Sequence, residues 1–433
     1  MIRRLRGLTA TTPGRYRAWS IVVVAALLAT AVAGYVAARQ LADATDRLEA
    51  NTGPVLVATQ DLVASLSEAD AAATAAFLSG APEDREQRGV YEDALSRAAR
   101  QLEEVSSLIG DDEATHAVLA DISVQLARYA GLVEAARARN LDGTPGAEQD
   151  LVAAVELLAG TISQDAESLT EATDARLDDD DADRTLVVLI AVALALAAAV
   201  LLIGAHQEVA RRSRRRLNPA LLAATVLVVA AAGLLLRGHL GAQGAIDDAR
   251  RDGYESIALT AEVQVLGQRA RADETVALIV DDAGRRAAAD ARAAELADAD
   301  ITDEDVDRAR GGRDVDFDGL LTEVAQRADD DRERAAAAEL LTRWQRYVDT
   351  VDDLRAAGPV PARAIAVAEG SSTFNGFNIS VESVLGDNRS QFLDGLSDAE
   401  DRTAGLTAAT VLLPLLAATA ALGGLQLRIN EYR

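Results

Sequence analysis

The chain has 433 residues, a formal net charge of −26, three histidines, no cysteine and only 3% aromatic residues. Disulfide and thiol chemistry are excluded, and a histidine-rich metal centre or histidine-based triad has little to draw on. No phosphate loop, nucleophile elbow or metal-ligand spacing occurs, so the chain reads as a non-enzyme without a cofactor.

Residues 1–17 form a tail with Arg3, Arg4, Arg6, Arg15 and Arg17. The uncharged apolar run Ala18–Ala38 follows. A run of about 18 or more apolar residues reads as a membrane helix. This one is long for a secretory signal, and its helical pattern continues, so an uncleaved anchor is expected. Three more runs have the same character: Thr185–Ala205, Pro219–Leu236 and Leu406–Leu427. Between the second and third lies the loop 206–218, which carries Arg211, Arg212, Arg214, Arg215 and Arg216. The tail 428–433 adds Arg428 and Arg433. Against these arginines stand only Glu208 and Glu431, so nearly all the acid lies in the two long segments 39–184 and 237–405. Arginine beside a span stays in the cytoplasm. Both termini and the loop are therefore expected inside, and both long segments outside. The arginine loop serves as a topology anchor that touches anionic lipid, with docking of a cytoplasmic partner as its second use. It is too short, and too poor in aromatic neighbours, for nucleic acid.

The segment 39–184 reads as four helices. Leu41, Leu48, Val55, Leu62 and Ala69 recur every seven residues, the seam of a bundled helix. Breaks fall near Gly80, at the stretch after Ile109 and after Arg139. The last helix carries Leu151, Val155, Leu158, Ile162 and Leu169 on one stripe and runs on towards the second span. The segment 237–405 repeats the plan, with breaks at Asp281–Gly284, Ala309–Gly319 and Ala356–Arg363 and a final stripe of Phe374, Phe377, Val381, Val384, Phe392 and Leu396. An Arg-Tyr pair marks the third helix of each, Arg128–Tyr129 and Arg346–Tyr347. The expected fold is an all-α membrane protein with four transmembrane helices and two external antiparallel four-helix bundles, a duplicated span–bundle–span.

Three stretches are candidate sites. Trp344, with Phe374, Asn375, Phe377 and Asn378, combines aromatic and amide groups suited to ligand or partner recognition; at helical spacing the same rings also suit a core. Asp314, Asp316 and Asp318 begin a D-x-D-x-D-G calcium pattern, but the twelfth position is Ala325 where a bidentate Glu is needed. The arginine loop is the third. The spans carry no charge, which argues against transport.

Paired spans flanking a four-helix external bundle resemble the sensor half of methyl-accepting chemotaxis receptors. The whole arrangement is similar to the GlnX-type four-span signalling proteins of actinobacteria. That resemblance implies amino-acid sensing by a periplasmic solute-binding lipoprotein, relay across the membrane, and response by a cytoplasmic Ser/Thr protein kinase. The expected function is a transmembrane signalling adaptor, with a homodimer possible; the alternative is a structural scaffold of the cell envelope.

Overall fold

The computed structural model describes residues 12–431 apart from 48–49, 51–52, 82, 111, 213–217, 249–253 and 404. The described residues are almost entirely helical and contain no strand. The elements are α1 (Thr12–Arg47), α2 (Gly53–Ser79), α3 (Arg85–Leu108), α4 (Glu113–Asp142), α5 (Ala147–Leu157), α6 (Ser163–Arg212) and α7 (Pro219–Asp248). They continue with α8 (Glu255–Val280), α9 (Ala283–Leu296), α10 (Asp303–Arg310), α11 (Leu320–Arg327), α12 (Asp331–Ala356), α13 (Pro359–Ile365), α14 (Ser371–Thr403) and α15 (Leu406–Glu431). Single π-turns at Leu158–Ile162 and Ala366–Gly370 separate α5 from α6 and α13 from α14. The chain folds as two compact units, Met1–Glu49 with Arg176–Asp247 and Gly395–Arg433, and Ala50–Ala175 with Asp248–Asp394.

The first unit holds four helices long and apolar enough to cross a membrane, over Arg15–Asp46, Thr185–Arg211, Pro219–Asp248 and Leu406–Leu427. Its inner faces are small: Ala195, Ala198, Ala224, Ala417 and Ala421 pack with Val23, Leu27, Leu202 and Leu221. Its large aliphatics, among them Ile21, Val32, Val200, Val226 and Leu427, point outward and are exposed. Small residues inside and large apolar residues outside suit helices packed in lipid, where close van der Waals approach replaces the hydrophobic drive of water. Asn218 ties the start of α7 to α15 by donating to the Gly424 carbonyl at 3.2 Å.

In the second unit α2 and α8 form a central pair. Consecutive residues Ala69 to Ala75 of α2 are buried, as are Ala270 to Ala277 of α8. A helix buried on every face has neighbours all round it. On α2 these are α3 and α8; on α8 they are α2 and α9. The two helical segments therefore pack against each other through α2 and α8 within one unit. In the first segment that core is aliphatic, with Leu62, Leu66, Leu102, Leu119, Ile122 and Ile162 around Tyr91 and Tyr129. The seams expected from Val55, Leu62 and Ala69 and from Leu151 to Leu169 are buried; Leu48 lies outside the described residues. Leu78, Ala136, Leu151 and Ile279 bridge the two segments.

Helix ends follow local chemistry. Asp84, Asp112, Asp282 and Asp330 each accept backbone N–H groups at the N-termini of α3, α4, α9 and α12, worth about 1 kcal/mol apiece. Thr302 and Asp305 form a reciprocal capping box on α10. Gly319 starts α11 with φ 135°, and a Cβ there would lie 2.5 Å from the Leu296 carbonyl oxygen, so no other residue fits that turn.

Candidate functional site

The second segment encloses a cavity of about 320 Å³ between α8, α11, α12 and α14. Helical spacing brings the lining together. Leu259 and Thr260 of α8 face Val384, Asn388 and Gln391 of α14, which lie on one stripe at positions four and three apart. From α12 come Glu333, Ala336 and Ala337, whose single methyls leave the space open. Leu259, Val324 and Val384 supply apolar wall. Thr260 is 1% exposed; it donates to the Ser256 carbonyl at 2.7 Å and accepts from Asn388 Nδ2 at 3.4 Å.

The rim is acidic. Glu255 pairs with Arg327 at 3.2 Å and Asp387 with Arg332 at 2.5 Å. Glu333 accepts from the Asp329 N–H at 2.9 Å and from the Gln391 amide. Burial holds the Glu333 carboxyl above the ordinary carboxylate range, and the adjacent Asp329 charge adds to it. Carboxylate oxygens of Asp329, Asp330 and Glu333 lie within 4.8 Å of one another.

The sequence-predicted residues are placed differently. Trp344, Phe374 and Phe377 are at most 1% exposed. Ring centroids stand 5.0 Å apart for Trp344–Phe377, 5.5 Å for Phe374–Phe377 and 4.9 Å for Tyr347–Phe374. These rings are the core of the second segment and offer no surface to a ligand, because their helical spacing turns them all inward. Asn378 is buried and accepts from Gln268 Nε2 at 2.9 Å, whereas Asn375 is exposed. Asp314, Asp316 and Asp318 are exposed and do not converge. Asp316 pairs with Arg308 and donates its N–H to Asp305, and the Asp318 N–H goes to Asp298, so the loop is tied by protein groups. Arg211 is exposed at the end of α6, which also includes Arg212. Arg214, Arg215 and Arg216 lie outside the described residues.

Sequence reading missed a set of buried charges at the α2–α8 centre. Arg271 donates to Gln87 of α3 and Ser371 of α14, each at 3.1 Å, and its guanidinium sits 4.7 Å from the Phe374 ring. Asp273, 5% exposed, pairs with Arg285 and Arg292 of α9. Glu274, equally buried, takes two bonds from Arg355 of α12 at 3.2 and 2.6 Å. In the first segment the buried Asp70 accepts from Tyr129 at 3.2 Å, and burial pushes its carboxyl up to about 7. The signal was present as the matched pairs Ala69–Asp70 and Ala272–Asp273, each in the first helix of its segment.

Comparison with known proteins adds one result. No curated protein and no solved structure matches the chain. Residues 44–182, which span the first helical segment, match the family model described as Actinobacterial sensor domain. Together with four helices of membrane-crossing length and composition, that likeness points to a multi-pass sensor membrane protein of actinobacterial type.

Proposed function

We propose that the chain is a transmembrane signalling adaptor that relays the state of an external solute-binding protein, engaged in amino-acid sensing, to a cytoplasmic Ser/Thr protein kinase. The sensor-domain likeness of residues 44–182 carries the reading. Two further features support it. The arginines gather in the tails and the short loop while the acids gather in the long segments, the asymmetry of a protein whose segments face outward. One helix, Ser163–Arg212, holds Leu169 of the last stripe of the first segment and also the second apolar run. The arginine loop, with Arg211 and Arg212 at the helix end and Arg214, Arg215 and Arg216 beyond it, is the docking surface for the inner partner.

Crosslinking in native membranes followed by detergent purification tests the relay. A solute-binding lipoprotein and a kinase are expected to co-purify, and replacing the five loop arginines by glutamine is expected to release the kinase and spare the lipoprotein. Recovery of neither partner sinks the proposal; recovery of wall-assembly proteins instead favours a scaffold.

A further inference from the structure

We infer that Arg271 is a tie that couples the two segments: it joins α3 of the first to the π-turn Ala366–Gly370 of the second and holds that turn in its π form. This concerns the regulation of the proposed relay and rests on that reading only for what the coupling serves.

The position of the guanidinium is the first ground. One nitrogen, Nη2, donates both to Gln87 of α3 and to Ser371 at the start of α14, each at 3.1 Å. Both acceptors are buried. Asp273 and Glu274 on the same helix have arginines, yet Arg271 pairs with no carboxylate among the described residues. Burial works against its charge, and a buried charge is costly unless its donors find acceptors. The bonds to Gln87 and Ser371 therefore fix where the guanidinium sits.

The turn is the second and independent ground. A π-turn closes on bonds between residues five apart, one more than in the α-helix, and such turns are frequent at functional places in helices. Ala366 and Ser371 stand five apart, and the Ser371 hydroxyl, while accepting from Arg271, itself donates to the Ala366 carbonyl at 3.5 Å. The tie thus ends across the turn, from its first residue to the one that follows its last. Ala366 and Val367 also pack on Leu78, Ala136 and Leu151 of the first segment and Ile279 of α8. A like turn, Leu158–Ile162, precedes the last helix of the first segment, so the feature holds a matching place in both halves.

The turn supplies two discrete states. Rewound as α-helix, it holds one residue fewer, which turns Ser371 by about 100° and moves it about 1.5 Å relative to Ala366. Ser371 then no longer faces Arg271. A change at Gln87 that frees the guanidinium therefore weakens the hold on a turn in the other segment.

The test uses the full-length chain in lipid nanodiscs, with hydrogen exchange followed by mass spectrometry over residues 366–371. Gln87→Met keeps the bulk of the side chain and removes the acceptor, so it alters only the first segment's end of the tie. Exchange in the π-turn is expected to rise about tenfold, the loss of one hydrogen bond to a charged group, while peptides around Trp344 keep the parent rate. Ser371→Ala cuts the other end and is expected to give a similar rise. With both changes the rise is expected to be no larger than with either alone, since the two residues act through one guanidinium. That non-additivity separates coupling from two unrelated losses of packing. The inference is overturned if Gln87→Met leaves exchange at 366–371 unchanged or slower, if the rise spreads equally to the Trp344 peptides, or if the two effects multiply. Coupling without recovery of a lipoprotein or kinase leaves the tie standing and removes the relay; the converse removes only the tie.

Discussion

The two helical segments follow one plan and fill it with different side chains. The first is packed with aliphatics around two tyrosines, and its buried Asp70 has a phenol for company. The second is packed with Trp344, Tyr347, Phe374 and Phe377, and its buried Asp273 and Glu274 are matched by arginines from α9 and α12. Aligning Ala69–Asp70 with Ala272–Asp273 sets Glu68 opposite Arg271 and Ala64 opposite Gly267. The glycine has a visible cause, since a Cβ at Gly267 would lie 2.6 Å from the Phe377 ring. The difference teaches that matching helices keep their places while their contacts specialise: the buried Asp70 is met by a phenol, the buried Asp273 and Glu274 by arginines.

That contrast can be broken or sharpened by substitution. The largest effect is expected for Trp344→Ala, which empties the middle of the aromatic core and should cost about 3–5 kcal/mol. In thermal unfolding followed by circular dichroism, a single transition should move as a whole, because α2 packs along α8. Two separating transitions would show instead that the segments unfold independently.

Asp70→Asn comes next and has the opposite sign. The folded pKa of about 7 lies above the ordinary 3.8. The stability tied to the protonated form is therefore complete below about pH 3.8 and is lost as pH rises through about 7. The variant should be more stable than the parent by roughly 2–4 kcal/mol at pH 8, with the gap closing towards pH 4. A difference in melting midpoint that does not change with pH would refute the assignment.

Arg355→Ala strands the buried Glu274 and should cost about 2–3 kcal/mol at neutral pH. Glu274→Gln added to it should restore much of the loss, since the uncompensated charge is gone. The smallest change is Gly267→Ala, expected to cost about 1–3 kcal/mol by pressing on Phe377. The mirror change Ala64→Gly should cost no more than about 1 kcal/mol, the ordinary penalty for glycine in a helix. Equal costs for the two would remove the stated reason for the glycine.

Much of the fold was legible from residue order. Breakers near Gly80, Asp281 and Gly319 fall at helix ends, and the stripes Leu151–Leu169 and Phe374–Leu396 are buried, because helical period and turn chemistry are local properties. The pairing of α2 with α8 was not legible. Runs such as Ala71–Ala72–Ala73 read as helix formers, and the same small side chains are what allow a second helix to approach from any side. The cavity was hidden for a like reason: Ala336 and Ala337 declare helix and say nothing of the space above them. Long-range charge pairs such as Glu274–Arg355 join residues 81 positions apart, beyond any periodicity. The aromatic stretch drew notice as a recognition surface because composition alone does not say which way a ring points.

The contact of α2 with α8 has a practical corollary. Divided from its twin, either segment would bare a strip of alanines with a carboxylate set among them. Neither half is therefore expected to stay folded and soluble when expressed alone.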